Sequence, residues 1–474
     1  MKYLSSAVVL IVVIAFTGCF GPSSSNGGVE LLGQMPQGYD MYMVLNPEGI
    51  GLEQILASLR ENLPEDVLAD LDEEDIPFDI FDWQEWKEGM ALRDGAIGVF
   101  SLTEDDDFVA FFLPCENQTQ LESFIQDNDF GETEFFTSGE YTVMVVAWDD
   151  DEQLTDLEDA LNDGVIADQS DFEKMNEKIS TTDASIAFFF SDKVAEVPIF
   201  GTFSANSDES RLEISVITDD EEVPQFLNFF GEGLISDNIR FTENTMSAVR
   251  FTVDIEALKA GYDEMSNIEE VEAGLPFIGF ESMEEFLSIF EGDICVAFQK
   301  LELDDHDEPT EVEGMIALSL TDTEKLESSF QMISAIASAE TEEFGDVLAY
   351  QVTQEDNDIW YFISDNVFYV SFNTRPSDII DGTEAKDFFA DGIAVEGFFG
   401  GAADPEGIME GLEGKPEMQE IITALFEERI EFSVSAEDQM FTSVIVAGPD
   451  VLESAIALIP AAAAFADVPL PDEF

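Results

Sequence analysis

The chain has 474 residues, of which 105 are Asp or Glu and only 17 are Lys or Arg, so its formal net charge at pH 7 is −88. This charge excludes sequence-unspecific binding to DNA or RNA, because a polyanion needs a cationic partner surface to release its counterions. A hydrophobic content of 45% with 42 Phe residues excludes an acidic disordered chain, which would have few aromatic residues. At about 150 residues per domain, the length predicts roughly two to four domains.

The N-terminal residues form a secretory pattern. Lys2 supplies one positive charge, residues 7–16 are uninterruptedly apolar, and the tetrapeptide Phe16-Thr17-Gly18-Cys19 ends the run. The apolar run falls short of the roughly 18 residues that a membrane-spanning helix needs, so it is typical of a signal peptide. The tetrapeptide resembles the lipobox of prokaryotic lipoproteins, in which the cysteine is acylated and becomes the mature N-terminus.

This resemblance implies a signal peptide over residues 1–18 and a lipidated Cys19. The Gly- and Ser-rich sequence that follows predicts a flexible tether over residues 19–35. The protein would then be held at a membrane by its lipid, on the extracytoplasmic side of the cell envelope. The alternative is an ordinary signal peptide or a short N-terminal anchor, with Cys19 incidental.

Acidic residues are spread along the whole chain and form short runs between apolar segments, for example residues 104–107 and 219–222. Carboxylates at this density repel one another unless salt screens them, and the screening length falls from about 10 Å at 0.1 M salt to about 3 Å at 1 M. A salt-rich habitat fits this composition best. The alternatives are an acidic surface protein from an ordinary habitat and a surface that binds cations such as Ca²⁺ or Mg²⁺ weakly.

Comparison of the chain with itself indicates an internal repeat. A strand, a polar turn and an amphipathic helix containing Leu121 recur in the same order with a helix containing Leu326, and the strand at Ile214 matches the strand at Thr442. The sequence therefore predicts two pseudo-repeats over residues 36–236 and 243–465, followed by an acidic tail over residues 466–474. Chance similarity between strand-helix units is the alternative.

The strand periodicity predicts the fold class. Segments such as residues 211–216 alternate polar and apolar side chains, which is typical of an antiparallel sheet with one face in water. We expect an α+β fold of two tandem repeats, each a mainly antiparallel sheet with helices packed on one face. No βαβ segment carries a glycine-rich phosphate loop, which argues against a dinucleotide-binding fold.

The body of the chain also resembles a family of uncharacterised bacterial lipoproteins with a repeated extracytoplasmic region. The resemblance lies in residues 248–258, in Gly279-Phe280 and in the helix at Phe286, and it recurs more weakly over residues 41–47. It implies an envelope location and supplies no activity, cofactor or catalytic residue.

Catalytic residues are scarce by type. His306 is the only histidine, so a His-dependent triad or a multi-histidine zinc site cannot form within one chain. It lies in an acidic run that reads as a solvated turn, with weak metal capture as the alternative. Cys115 and Cys295 fall at non-equivalent places in the two repeats, and two buried thiols are as plausible as one disulfide.

Three further residues allow two interpretations each. Trp83 and Trp86 are expected to pack into the core, with a sugar-binding platform as the alternative. Asn117 begins the only N-glycosylation sequon and also sits where a helix should start, so it is expected to form a helix-start turn.

Two functional classes follow. The first is a non-catalytic envelope lipoprotein, without a cofactor, that binds another envelope protein, a polymer or an apolar ligand. The second is an extracytoplasmic hydrolase that works with carboxylates alone, as glycosidases do. Carboxylates are too abundant for any pair of them to be specific, so the sequence predicts no catalytic residue, and we expect the first class.

Overall fold

The computed structural model describes residues 28–37, 39, 41–50, 52–53, 56–57, 60, 81–101, 108–127, 133–147, 164–178, 184–191, 197–205, 209–217, 229–231, 236–261, 272–303, 309–337, 339–354, 357–389, 393, 397–404, 429–437 and 440–448. Cys19, His306 and the acidic tail lie outside these residues. The chain divides into two compact units. Unit 1 contains residues 1–218, 424–427 and 446–474, and unit 2 contains residues 219–423 and 428–445.

Unit 1 is built from short strands and helices. Its strands are β1 (Met41–Leu45), β2 (Ile97–Ser101), β3 (Phe108–Leu113), β4 (Thr133–Ser138), β5 (Tyr141–Ala147), β6 (Ile186–Phe190), β7 (Ile199–Ala205) and β8 (Ser210–Ile217). Its helices are α1 (Gly28–Gln34), α2 (Trp83–Gly89), α3 (Gln118–Asp127) and α4 (Ser170–Lys178), with a 3₁₀ turn η1 (Ile166–Asp168). Helix α1 corrects the flexible tether predicted over residues 19–35 in its last part, because Leu31 and Leu32 are buried there and fix the chain to the core.

The described strands of unit 1 form one antiparallel sheet in the order β4-β5-β3-β2-β1-β6-β7-β8. Strand β1 lies at the centre, with β2 on one side and β6 on the other. The helix predicted around Leu121 is α3, which follows β3 and buries Leu121 and Ile125.

Helices cover both faces of the unit 1 sheet, which corrects the expectation of helices on one face. On one face, Trp83 and Trp86 of α2 and Leu121 of α3 pack against the sheet in a core that includes Phe111. On the other face, Phe172 of α4 packs against the sheet, its ring 5.0 Å from that of Phe200. The reason is that both sets of alternating side chains in the central strands are apolar, so each face needs a covering layer.

Strand β8 shows a second difference from the sequence-based expectation. Its polar side chains Glu213 and Ser215 are fully buried, whereas the intervening Leu212 and Ile214 are only partly buried. An ion pair with Arg211, whose Nε lies 2.6 Å from Oε1 of Glu213, compensates the buried carboxylate. Polar-apolar alternation therefore identified the strand correctly and its buried face incorrectly.

Unit 2 has longer strands. They are β9 (Arg240–Phe241), β10 (Ser247–Thr252), β11 (Phe290–Leu303), β12 (Pro309–Leu320), β13 (Glu340–Phe344), β14 (Val347–Gln354), β15 (Asn357–Ser364), β16 (Val367–Phe372), β17 (Thr383–Glu384), β18 (Phe399–Ala403), β19 (Ile430–Glu437) and β20 (Met440–Ala447). Its helices are α5 (Ile255–Gly261), α6 (Met283–Leu287), α7 (Thr323–Ala337), α8 (Pro376–Ile380) and α9 (Ala385–Phe388), with a 3₁₀ turn η2 (Leu275–Ile278).

The main sheet of unit 2 is antiparallel, and its described strands follow the order β13-β14-β15-β16-β12-β11-β10-β18-β19-β20. Strands β9 and β17 form a separate two-stranded sheet. Strand β18 begins at Phe399, and residues 391–392 and 394–396 before it lie outside the described residues.

Helices also cover both faces of the unit 2 sheet. On one face, Ile379 of α8 and Ala385 of α9 belong to a core with Cys295, Trp360 and Tyr369. On the other face, the Phe330 ring of α7 lies 5.2 Å from that of Tyr361 and 5.0 Å from that of Phe368. The α+β class is thus observed, with the sheet of each unit as a middle layer.

Candidate functional site

The strongest candidate site is a cavity of about 490 Å³ in unit 2, lined by residues of β11, β12, β14, β15 and β16 together with Asn373. It lies on the α7 face of the sheet, because the lining residue Ile359 alternates with the buried Trp360 of the opposite face. The described lining residues are Val296, Phe298, Val312, Gly314, Met315, Ile316, Gln354, Asn357, Ile359, Phe372 and Asn373.

Strand register assembles the floor of the cavity. Gly314 of β12 lies opposite Phe298 of β11 on one side and opposite Phe372 of β16 on the other. Phe372 in turn lies opposite Ile359 of β15. A glycine between two phenylalanines leaves a gap in the row of side chains, so the rings form two walls and the Gly314 backbone forms the floor.

A β-bulge explains why glycine is needed there. The pairing of β11 with β12 shifts between Phe298 and Lys300, so Gln299 is the extra residue opposite Gly314. A Cβ at position 314 would lie 2.6 Å from the backbone oxygen of Ala297, closer than side chains approach. The Nε2 atom of Gln299 is buried, and it has no hydrogen-bond partner in the part of the chain that the structure describes.

Asn373 orders the polar end of the cavity. It adopts φ 54°, a left-handed conformation that Asn tolerates better than most residues. Its Nδ2 donates to the Val312 carbonyl oxygen at 3.0 Å and to Oδ1 of Asn357 at 2.9 Å, while its Oδ1 accepts from the Asp358 backbone N–H at 2.9 Å. These bonds tie together the ends of β12, β15 and β16.

The main chemical feature of the described lining is that it carries no charge. Although 26% of the residues of the chain are charged, none of the described lining residues carries a charge. Seven have apolar side chains and three carry neutral amides. The cavity can therefore bury hydrocarbon and offer amide hydrogen bonds, which is the usual composition of a small-molecule binding pocket.

The opposite face of the same sheet holds a buried polar cluster. Nη2 of Arg250 donates to the Gly397 carbonyl oxygen at 2.9 Å, and the Thr252 hydroxyl donates to Oδ1 of Asp293 at 3.1 Å. Burial raises the pKa of Asp293 and lowers the pKa of Arg250. With its neighbour Cys295 fully buried, the cluster is closed to solvent at its centre and serves to join β10, β11 and the start of β18.

The thiols and the sequon predicted as candidates are not among the described lining residues of the cavity. Cys115 and Cys295 are both free, so no disulfide joins them. Asn117 precedes α3, where its Oδ1 accepts from the Gln120 backbone N–H at 3.4 Å, as expected for a helix-start turn. Trp83 and Trp86 are buried, which confirms the core interpretation. Cys19 and His306 lie outside the described residues.

Sequence reasoning missed the cavity. Its residues come from strands spread over residues 296–373, and each strand by itself has an ordinary apolar pattern. One local signal was present, because an isolated glycine inside a strand, here Gly314 in an apolar run, marks a bulge or a close backbone approach. That signal indicates the bulge but not the cavity beside it.

Metal ligands and membrane spans are the remaining features that could indicate a site or a location. Within the described residues, no group of three or more His, Cys, Asp or Glu side chains is placed to hold a metal ion. None of the described helices is long and apolar enough to cross a membrane.

Solved structures that resemble the chain do so only weakly. No protein family matches the chain, and no curated protein matches it either. The chain is similar to crystal form III of TP0453, with a TM-score of 0.26 and 10% identity over 45% of this chain and 90% of that one. Crystal form I of TP0453 gives a TM-score of 0.24 and 13% identity over 43% of this chain and 85% of that one. Scores this low carry no argument about fold or function.

Proposed function

We propose that the protein is a lipid-anchored, extracytoplasmic binding protein that holds an apolar small molecule in the cavity of unit 2. The observation that carries the proposal is that the described lining residues around Gly314 are mostly apolar and carry no charge, although the chain is so acidic. Aliphatic and aromatic walls favour a hydrocarbon ligand, because each buried methylene contributes about 0.8 kcal/mol. The anchor is the acylated Cys19 that the N-terminal sequence predicts.

The size of the cavity favours a small molecule over the other partners that the sequence allows. Ligand pockets range over about 300–1,000 Å³, which includes the 490 Å³ observed. A stable protein partner would engage about 20–30 residues on each side, far more than the described lining. A polar polymer would need hydrogen-bonding groups along its length, whereas the amides lie among seven apolar side chains.

A carboxylate-dependent hydrolase is the alternative function. That chemistry needs two carboxylates converging on one ligand site. The described lining of the cavity contains none, and Asp293 on the other face lies in a buried cluster with Arg250 and Thr252 that is closed to solvent at its centre. No specific observation favours the hydrolase, so the proposal is a binding role.

We also infer that the two units arose by duplication of one domain. In unit 1 the order β5-β3-β2-β1-β6-β7-β8 has the same connectivity as β16-β12-β11-β10-β18-β19-β20 in unit 2. The Leu121 helix follows β3, and the Leu326 helix follows the corresponding strand β12. Superposition of residues 36–236 on residues 243–465 in an experimental structure tests the inference, and non-equivalent positions of these helices would refute it.

The salt-rich habitat remains part of this proposal. The described cations are few and are used by nearby acids, as where Lys386 lies 3.5 Å from Asp237 and 2.8 Å from Glu384. Most carboxylates then rely on screening by dissolved ions. Weak Ca²⁺ or Mg²⁺ binding on the acidic surface is compatible with this role but not needed for it.

Ligand retention by the lipidated full chain tests the binding role. The chain is immobilised in a non-ionic detergent and offered radiolabelled palmitate or radiolabelled monopalmitoylglycerol, each in a separate experiment. We expect saturable retention of at least one probe at one molecule per chain. If neither probe is retained above a column without protein, the proposed function is wrong.

Charge-insertion variants locate the bound probe. Ile316→Glu and Val312→Glu each place a carboxylate in the lining and should lower retention at least about tenfold, because hydrocarbon would then be buried against a charge. Leu348→Glu is the matched control, since Leu348 is exposed on β14 of the same sheet and outside the lining. Far-ultraviolet circular dichroism checks folding. Equal loss in the control and in both lining variants would place the probe elsewhere.

A further inference from the structure

Among the described lining residues, the polar end of the cavity carries only neutral amides. Gln354 at the end of β14 lies opposite Asn357 at the start of β15, and Asn373 donates a hydrogen bond to Asn357. An amide can hydrogen-bond a hydroxyl or a carbonyl group of a ligand. It offers no full positive charge to a carboxylate or a phosphate, which are the groups that proteins bind best with Arg or Lys.

The cations nearest in the chain are Arg375 and Lys300. Arg375 is two residues from Asn373, but its Nη2 lies 3.3 Å from the Glu342 carboxylate. Lys300, one residue beyond the bulge, lies opposite Glu313 in the register of β11 and β12. Neither belongs to the described lining.

The acids nearest in these strands, Asp358 and Glu313, alternate with lining residues and therefore belong to the opposite face of the sheet. Asp358 follows Asn357 in β15 and accepts a hydrogen bond from the Thr353 hydroxyl at 2.8 Å. Glu313 lies between two lining residues, Val312 and Gly314. With a net charge of −88 on the chain, the potential outside the amide end is negative, and it opposes the approach of an anion.

We infer that the ligand is a single-chain amphiphile whose polar end carries no negative charge, such as a monoacylglycerol or a long-chain alcohol. This inference rests on the proposed binding function and adds the ligand class. The hydrocarbon chain occupies the apolar walls between Phe298 and Phe372, and the hydroxyl groups meet the amides of Gln354, Asn357 and Asn373. Fatty acids, which are anionic at neutral pH, bind more weakly because of their charge and not because of their size.

Competition between two probes with the same hydrocarbon chain tests the inference. Radiolabelled monopalmitoylglycerol is bound to the lipidated full chain at pH 7.5 and displaced by unlabelled monopalmitoylglycerol or by palmitate. At 0.1 M NaCl we expect palmitate to bind at least about fivefold more weakly, the effect of one nearby like charge in water. At 1 M NaCl the difference should shrink at least about twofold, because the screening length falls to about 3 Å.

A charge variant at the amide end tests whether that end causes the weaker binding of palmitate, or whether the acidic chain as a whole repels it. Gln354→Lys puts a cation beside the ligand and should bring palmitate to within about twofold of monopalmitoylglycerol. Thr341→Lys is the matched control, because Thr341 is exposed on β13 of the same sheet and does not line the cavity. The control should keep the discrimination of the unmodified chain.

The outcomes distinguish this inference from the function on which it rests. Retention of palmitate as tightly as monopalmitoylglycerol by the unmodified chain at 0.1 M NaCl would overturn the inference and leave the binding role standing. Equal effects of Gln354→Lys and Thr341→Lys would also overturn it, since the amide end would then have no special part. Retention of neither probe would remove the binding role itself.

Discussion

Replacement of Gly314 by alanine tests the construction of the cavity floor. The added methyl group would lie 2.6 Å from the backbone oxygen of Ala297 and 3.4 Å from Cδ1 of Phe298. The first contact is with backbone in a neighbouring strand, so rotation of a side chain cannot relieve it. Strand β11 or β12 must move by a few tenths of an ångström at the bulge.

The expected cost follows from two opposing effects. Forcing an extra methyl group into a packed site costs about 1–3 kcal/mol. Removing a glycine stabilises by about 0.4–1 kcal/mol, because the unfolded chain loses conformational freedom. We therefore expect Gly314→Ala to lower the free energy of unfolding of unit 2 by about 1–2 kcal/mol, the difference between the two effects. At a urea dependence of about 2 kcal/mol per molar, the midpoint should fall by about 0.5–1 M.

Gly274→Ala is the matched control. Gly274 has φ −82° and ψ −27°, which any residue adopts, and a Cβ there would meet no atom within 4 Å. It should leave stability unchanged or raise it by up to about 1 kcal/mol. Hydrogen exchange of peptides from β11 and β12 at increasing urea, measured by mass spectrometry, reports on unit 2 directly. Equal midpoints for the two variants would refute the argument that close backbone approach requires glycine at position 314.

Three other predictions concern the anchor, the charge and the thiols. Cys19→Ala should move the protein from the detergent phase to the aqueous phase on phase partitioning, and an unmodified chain that stays aqueous would show that Cys19 carries no lipid. The melting temperature should rise between 0.1 M and 1 M NaCl, because salt screens carboxylate repulsion, and a flat or falling value would reject the salt-adapted interpretation. Iodoacetamide should alkylate Cys115 before Cys295. Burial raises the pKa of both thiols, but Cys115 is partly exposed whereas Cys295 is completely buried. Mass spectrometry of the folded chain reports the order of alkylation, and the reverse order would contradict this prediction.

Features that depend on near neighbours in the chain were predictable from sequence. The α+β class, the antiparallel strands and the helices at Leu121 and Leu326 follow from apolar residues at the spacing of a strand or a helix. The burial of Trp83 and Trp86 and the turn at Asn117 also follow from local pattern. In each case the residues that form the predictive pattern lie close together in the sequence.

Which faces are buried, and where a ligand can lie, depended on residues far apart in the chain. The buried position of Glu213 depends on the helix layer over β8 and on its pairing with Arg211, and alternation alone cannot tell which set of side chains a helix will cover. The cavity depends on the register that places Phe298, Gly314 and Phe372 in one row. Each of these residues is ordinary in its own strand, because a gap between side chains exists only when the strands are paired. Composition and local pattern thus determined the strands, the helices and the net charge of this protein. The pairing of distant strands decided where its described residues form a cavity with an uncharged lining.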